Sequence, residues 1–165
     1  MPTPEFVLRL REKIGHDQLW LPGVSVVVVD DAGRVLLGRR SDTGRWSIID
    51  GIPEPGEQPA AAAARECEEE AGVRPEILAV IGVETEEPIV YPNGDRCVFL
   101  DIGFVARVGA ERAAAAGVGD GELTAVAWFE PDALPAPLTP HASARIAAAR
   151  AWLADPTTPA RFRLE

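Results

Sequence analysis

The chain has 165 residues, of which 47% are hydrophobic, and its formal net charge is −10 at pH 7. This length and apolar content predict one globular domain with a core of its own and leave too little chain for two domains. The acidic charge disfavours binding to nucleic acid or to an anionic membrane, and the apolar runs are much shorter than the roughly 20 residues of a membrane-spanning helix.

Two further features favour a cytoplasmic protein. The N-terminal residues do not show the basic start, apolar stretch and small-residue cleavage site of a secretion signal. The two cysteines, Cys67 and Cys97, lie in apolar segments without Cys or His at metal-ligand spacing. Buried free thiols in a reducing compartment are therefore expected.

The first part of the chain predicts a short helix followed by a hairpin. Apolar residues in a charged background predict an N-terminal helical extension over about 4–15, which ends at Gly15. The β-branched run 24–29, the turn formers 30–33 and the apolar run 34–38 read as strand, turn and strand.

The rest of the chain predicts two helices and three further strands. An Ala- and Glu-rich helix is expected over 58–71, with Pro59 in its first turn and Gly72 just beyond its end. Strands are expected near 76–84, 97–108 and 122–129, with a turn at 91–95. A Pro-rich extended connection, 131–140, then leads to a helix over about 141–153 and a loose tail from about 155 to 165.

The helix over 58–71 carries the residues with the clearest chemistry. Helical spacing puts Glu66, Glu69 and Glu70 on one face, opposite a stripe of small apolar residues. Carboxylates packed in this way repel one another unless a cation neutralises them, and oxygen-only ligands favour Mg²⁺, with Mn²⁺ as a substitute. The alternative for an acidic helix is a solvated surface without a ligand.

Residues 51–73 resemble the Nudix box of the Nudix hydrolase (MutT-like) family, which weakens that alternative. The box has the pattern Gly, five residues, Glu, seven residues, Arg-Glu, an apolar residue, any residue, Glu-Glu, any residue, Gly and an apolar residue. The chain matches each fixed position, with Cys67 and Val73 in the apolar slots; the matching residues are Gly51, Glu57, Arg65, Glu66, Glu69, Glu70 and Gly72.

The resemblance implies both a fold and a reaction. The implied fold is an α/β/α sandwich with a mixed central sheet, in which the box forms loop, helix and loop, so that 1–165 is a single Nudix domain. The implied reaction is Mg²⁺-dependent hydrolysis of a pyrophosphate bond in a nucleoside diphosphate linked to another group. Glu66, Glu69 and Glu70 are implied to bind the metal, Arg65 to orient them and Glu57 to support the site.

Two residues outside the fixed positions are further candidates for the metal site. Asp50 stands where the family often has a second Gly, and it is expected to offer its carbonyl oxygen or its side chain as a ligand. Glu122, six residues before Trp128, resembles a late-loop acid of the family and is a candidate ligand or general base. Glu66 is the other candidate base. In the late loop, Asp120 is the second choice after Glu122. The alternative for both loop acids is an ordinary polar turn without a catalytic role.

Substrate recognition is expected outside the box. Arg39, Arg40 and Arg45 are candidate phosphate contacts, with surface ion pairs as the alternative. Trp46 is expected either to stack on a base or to lie in the core. Glu84, Glu86, Glu87 and Asp95 read as solvated loop charges, and the isolated His16 and His141 as capping or surface residues.

The substrate is left open by two markers that point in different directions. Pro88 resembles ADP-ribose pyrophosphatases by its position after the box, whereas Tyr91 resembles dinucleoside polyphosphate hydrolases. Nucleoside triphosphates and sugar nucleotides are further options. The chain is similar to bacterial Nudix proteins of unassigned substrate, and the resemblance implies a homodimer with an interface before Val24. A Nudix-fold protein that binds a nucleotide without cleaving it is the alternative to an enzyme.

Overall fold

The computed structural model describes residues 3–91, 93–119 and 121–164. Four helices and eight strands are assigned in these residues. The helices are α1 (Glu5–Ile14), α2 (Pro59–Ala71), α3 (Ala110–Ala113) and α4 (Pro140–Ala154). The strands are β1 (Leu19–Val29), β2 (Val35–Arg40), β3 (Trp46–Ser47), β4 (Ile49–Gly51), β5 (Glu76–Thr85), β6 (Ile89–Val90), β7 (Arg96–Arg107) and β8 (Leu123–Phe129). None of these helices is long and apolar enough to cross a membrane.

The strands form one mixed sheet that divides near its middle. β1 and β7 run parallel over the whole of β1, while β5 and β6 pair antiparallel with β7. β1 meets β2 only at Val29 and Val35, and it pairs with β4 at its residues 24–26. β2 therefore diverges from β1 beyond the predicted hairpin turn, and β4 occupies the place beside β1 where β2 has left it.

Alternation along the strands gives the sheet two buried faces. One face packs against α2 and includes Val24, Val26 and Phe104, together with Ala63 and Cys67 of the helix. The opposite face packs against α4 and includes Val27, Val105 and Ile146. Helices on both faces of a mixed sheet confirm the α/β/α class that the sequence predicted.

The N-terminal helix lies on the same face as α4 but near the other end of β1. Val7 of α1 packs with Leu21 and Cys97, which belong to β1 and β7. Arg11 anchors the helix further because its guanidinium pairs with Asp95 at 3.1 Å and donates to the Arg96 carbonyl at 3.0 Å. The two cysteines are free and buried, as the sequence predicted.

The C-terminal tail differs from the loose segment expected from about residue 155. The Arg161 N–H donates to the carbonyl of Ile81, and the Val83 N–H donates to the carbonyl of Arg161, both at 2.9 Å. These bonds satisfy backbone groups on the edge of β5, which would otherwise lack a partner strand. The tail is therefore held against the sheet at Arg161.

Candidate active site

The start and the end of α2 follow local sequence rules. Pro59 occupies the first helical position, where no N–H is needed, and Gly72 ends the helix in the left-handed conformation with φ of 68°. Gly72 donates its N–H to the carbonyls of Cys67 and Glu68. The helix is thereby fixed in length, and its small residues pack on the sheet with the Glu-bearing turns directed toward β4.

Arg65 connects the carboxylates of the box. Its guanidinium binds both oxygens of Glu57, at 3.0 and 2.9 Å, in a fork-like pair. The remaining nitrogen, Nη1, lies 3.0 Å from an oxygen of Glu66 and 3.0 Å from an oxygen of Glu69. Glu57 therefore fixes the arginine, and the arginine holds two acidic side chains of α2 close together.

Glu66 is the most deeply buried of the three helix carboxylates. It is 1% exposed and lies directly under Gly51, where a Cβ atom would overlap its carboxylate and approach its Cγ within 2.5 Å. Burial is the main cause that raises the pKa of Glu66 to about 7, against the opposing pull of Arg65. Gly51 is therefore needed because the backbone of β4 and the Glu66 carboxylate share this space.

The donor chemistry of this face fits a hard divalent cation. The Glu66 side chain is buried, Glu70 is 5% exposed, and the Glu69 side chain is 47% exposed, so that the face runs from the interior to solvent. All three donors are carboxylate oxygens, which Mg²⁺ prefers. In the described part of the chain, no three acidic, His or Cys side chains lie close enough together to enclose an ion as they stand.

A glycine-containing loop brings the chain before β8 to the end of α2. The Gly117 N–H donates to the carbonyl of Ala71 at 3.0 Å, and the Gly119 N–H donates to that of Glu70 at 2.9 Å. These contacts satisfy carbonyls that the last turn of a helix leaves open. The small-residue segment that precedes Glu122 is thus bonded to the helix that carries Glu70.

Glu122 lies half-buried at the start of β8, beside the end of β2. Its carbonyl accepts a hydrogen bond from the Ser41 N–H at 2.8 Å, next to Arg40. Trp128, six residues after Glu122, donates its ring N–H to the carbonyl of Ala113 at 3.0 Å. Asp120, the alternative loop acid, lies outside the described residues.

Asp50 directs its carboxylate away from α2. One oxygen lies 3.3 Å from Arg40, and the other lies 3.3 Å from the Ser47 hydroxyl and 3.6 Å from His141 Nε2. Burial alone would raise the pKa of Asp50, but the neighbouring His141 and Arg40 lower it. Its side chain is thus engaged on the α4 side, and Asp50 stays a predicted metal ligand, through its carbonyl oxygen or its side chain.

The predicted substrate contacts are placed in different surroundings. Arg39 and Arg45 are exposed and donate to the carbonyls of Gly44 at 3.1 Å and Leu138 at 3.2 Å. Trp46 packs edge-on against Phe129, with ring centroids 5.0 Å apart, and belongs to the core beneath α4. Of its two predicted roles, the structure places Trp46 in the core and not in a stacking position.

Arg40 and Tyr91 lie nearer to the candidate site than these residues. Arg40 pairs with Asp42 at 2.9 Å and with Asp50, and it lies within electrostatic range of Glu70. Tyr91 is 36% exposed, and its partial burial, near Cys97, Arg40 and Asp50, raises its pKa to about 12. Tyr91 therefore stands beside the same end of the sheet as Arg40.

The sequence did not reveal the polar residues that meet on the α4 face. His141 lies against Asp50, and burial opposes, but does not cancel, the effect of Asp50 in raising the pKa of His141. Glu84, expected as a solvated charge, has a side chain that is 11% exposed and lies 3.6 Å from the buried Arg145. One feature of the sequence could have indicated them: Asp50 stands where the family often has a glycine, and a partly buried carboxylate at this position requires hydrogen-bond donors or cations nearby.

An acidic helix held by an arginine against a divided mixed sheet defines the class of α/β/α sandwich that the resemblance implied. The family model for the NUDIX domain matches residues 19–150. The chain belongs to the Nudix family.

Known proteins similar to this chain carry names of the same family. A MutT-like protein of Streptomyces ambofaciens is 37% identical over 116 residues, which cover 66% of this chain and 63% of that protein. An RNA pyrophosphohydrolase of Roseobacter denitrificans is 38% identical over 91 residues, covering 54% and 51%. The chain thus spans between 51% and 63% of the length of these curated relatives. The crystal structure of a MutT NUDIX hydrolase from Burkholderia pseudomallei superimposes with a TM-score of 0.63 at 27% identity, over 79% of this chain and 98% of that one.

Proposed function

We propose that the protein is a pyrophosphohydrolase that cleaves a pyrophosphate bond in a nucleoside diphosphate linked to another group, with Mg²⁺ as cofactor and Mn²⁺ as a substitute. The observation that carries the proposal is the arrangement of Glu57, Arg65, Glu66 and Glu69, in which one arginine aligns carboxylates beneath a glycine that leaves them room. Acidic residues on a solvated surface would not need a glycine on a neighbouring strand to make room for a carboxylate.

Glu66, Glu69 and Glu70 would hold the metal, with the carbonyl of Asp50 and with Glu122 as further ligands. A bound divalent cation would activate water and stabilise the charge that develops on the phosphates. Arg65 fixes the carboxylates through Glu57, and Gly72 ends the helix so that Glu69 and Glu70 stay on its last two turns.

The general base is Glu66 or Glu122. Burial raises the pKa of Glu66 to about 7 in the metal-free protein. A bound cation would lower this pKa, so the Glu66 carboxylate would be ionised and able to accept a proton at neutral pH. Glu122 is tied to the end of β2 through Ser41, beside Arg40. Replacement Glu122→Gln distinguishes the two: a loss in kcat much larger than any rise in KM assigns the base to Glu122, while an unchanged kcat assigns it to Glu66.

The deciding experiment is a hydrolysis screen with and without Mg²⁺ over ADP-ribose, nucleoside triphosphates, sugar nucleotides, dinucleoside polyphosphates and NADH. RNA belongs in the screen because a relative is named an RNA pyrophosphohydrolase; the net charge of −10 predicts that small nucleotides are preferred. Glu69→Gln and Glu70→Gln should abolish turnover. Glu68→Gln is the matched control, because Glu68 is exposed and pairs with Arg74 at 2.7 Å.

A nucleotide-binding protein without turnover is the second candidate. It predicts saturable binding of a nucleotide in calorimetry and no product from any member of the screen. Retention of each box carboxylate favours the enzyme.

We also infer a homodimer and a cytoplasmic location. The segment before Val24 includes Trp20, which is 66% exposed, and a hydrophobic side chain of this size in water suits an interface. Light scattering of the protein and of Trp20→Ser tests the dimer. The free buried cysteines suit a reducing compartment.

A further inference from the structure

A polar cluster lies on the α4 face of the sheet, opposite the acidic helix. At its base, the buried Asp101 accepts hydrogen bonds from Arg145 at 2.5 Å and from the Ser25 hydroxyl at 2.8 Å. Arg145 is 4% exposed and also lies 3.6 Å from Glu84. The base is thus a closed group in which the charges of Arg145 and Asp101 offset each other.

Two glycines make room for the arginine of this base. A Cβ atom at Gly82 would overlap the Arg145 guanidinium, and one at Gly103 would lie 3.0 Å from its Nε. Gly82 and Gly103 are direct neighbours on β5 and β7, so Arg145 lies flat across the two strands. This packing fixes the N-terminal half of α4 on the sheet, and with it His141, one turn earlier on the same helix face.

The rim of the cluster is formed by side chains that are each about one-third exposed. His141 is 30% exposed, Asp50 is 32% and Arg40 is 29%, and Tyr91 stands nearby. Each cation here already has a carboxylate partner, since Arg40 pairs with Asp42 and Asp50, and His141 with Asp50. The rim is accessible to a ligand, yet it offers no spare positive charge.

Glu86 is the rim residue whose carboxylate has no hydrogen-bond or ion-pair partner among the residues that the structure describes. Its backbone N–H donates to the carbonyl of Phe99 at 2.9 Å, which fixes the position of the residue. Its half-buried carboxylate lies within electrostatic range of His141, Asp101 and Asp50, and within the described residues it forms no hydrogen bond or ion pair. A half-buried carboxylate of this kind is open to water, and it can accept hydrogen bonds from the donors of a bound molecule.

We propose that this cluster is the subsite for the part of the substrate beyond its diphosphate, and that Glu86 selects a neutral, hydroxyl-rich group such as a sugar over a further phosphate. The proposal rests on the function proposed above. The cluster adjoins the acidic helix where β2 has separated from β1, because Arg40 of the rim pairs with Asp50 and also lies within electrostatic range of Glu70. A substrate with its phosphates on the acidic helix would place its second group at this gap. Hydroxyl groups donate hydrogen bonds to a carboxylate, whereas a phosphate is repelled by it.

The test compares ADP-ribose, whose second group is a sugar, with ATP, whose second group is a phosphate, in the presence of Mg²⁺. The protein should prefer ADP-ribose in kcat/KM. Glu86→Gln keeps the shape of the side chain and removes its charge, so it should lower this preference about tenfold, mainly through KM, because a hydrogen bond to a charged group is stronger than one to a neutral group. Glu87→Gln is the matched control, since Glu87 is exposed and adjacent, and it should change the preference by less than about twofold.

The possible results separate this proposal from the proposed function. Hydrolysis by the unaltered protein, with the same preference in Glu86→Gln as in Glu87→Gln, overturns the subsite and leaves the enzyme intact. Absence of hydrolysis overturns the function; the dissociation constants of ADP-ribose and ATP, measured by calorimetry in the same three proteins, then test the selection. Equal or absent binding of the two nucleotides by the unaltered protein overturns the subsite as well. Matching thermal unfolding of the two variants shows that a change in preference is not caused by misfolding.

Discussion

Gly51→Ala is the sharpest single test of how β4 and α2 form the candidate site. An added Cβ would lie 2.5 Å from Glu66 Cγ and would overlap its carboxylate, whereas ordinary contacts begin at about 3.4 Å. The backbone of Gly51 does not have positive φ, so alanine is allowed there on backbone grounds. The substitution therefore acts through the displacement of Glu66, by roughly 1 Å.

The expected result is a large loss of turnover with little loss of stability. A misplacement of about 1 Å in catalytic machinery costs on the order of 100-fold in rate. The atoms that must move, Cγ, Cδ and one carboxylate oxygen, all belong to the Glu66 side chain and not to the backbone. The free energy of unfolding should therefore fall by no more than about 1–2 kcal/mol, within the range of moderate overpacking. Steady-state kinetics with Mg²⁺ and urea unfolding without it measure the two effects.

Gly117→Ala serves as the control for this comparison. An added Cβ at Gly117 would have its nearest neighbour, the Ala115 carbonyl oxygen, at 4.0 Å, and Gly117 is also close to α2. Its kcat should stay within about threefold of the unaltered protein. Turnover by Gly51→Ala equal to that of Gly117→Ala would refute the argument that the position of Glu66 limits the reaction.

Three further predictions concern charge. Since burial raises the pKa of Glu66 from 4.5 to about 7, the metal-free protein should lose up to about 3 kcal/mol of stability as pH rises from 4.5 through 7, and Glu66→Gln should lose less, because groups such as Glu86 titrate in both proteins; the free energy of unfolding by urea, measured in EDTA at pH 5 and pH 8, gives this loss, and an equal loss in both proteins would contradict the prediction. Arg145→Leu should destabilise the protein by about 3–5 kcal/mol, because Asp101 would be left buried without its cation. The double variant Arg145→Leu with Asp101→Leu should regain part of the lost stability, and equal unfolding temperatures of the single and double variants would count against a buried ion pair. Arg65→Lys should lower kcat with Mg²⁺ at least about tenfold, because lysine does not reproduce the forked contact with Glu57; a rate within twofold would exclude an orienting role.

The acidic helix could be predicted from the sequence because its information is local. Fixed spacings place Glu66, Glu69 and Glu70 on one face, and Pro59 and Gly72 mark its ends. The pairing of Arg65 with Glu69 follows from the same helical spacing. No tertiary contact is needed to infer any of these relations, and the structure has the helix at 59–71 against a predicted 58–71.

The α4-face cluster could not be predicted because its residues meet only through tertiary packing. Asp101 and Arg145 belong to β7 and α4, and Glu86 lies in the connection between β5 and β6, so the three residues are distant in sequence. Periodicity marks α4 as a helix but does not tell which of its polar residues faces the sheet, since that depends on Gly82 and Gly103 being neighbours on adjacent strands. The docked tail escaped prediction for the same reason: Arg161 is fixed by the free edge of β5, which the sequence alone does not reveal.

β4 connects the two faces, and this explains why its sequence departs from the usual pair of glycines. Consecutive residues of a strand point to opposite faces, so Gly51 lies over Glu66 while Asp50 points toward His141 and Arg40. A glycine at position 50 would leave the acidic helix unchanged but would remove the carboxylate that joins β2 to α4. Asp50→Gly should therefore affect recognition of the substrate more than the chemical step, which appears as a rise in KM larger than the fall in kcat. A fall in kcat alone would instead assign Asp50 to the reaction itself.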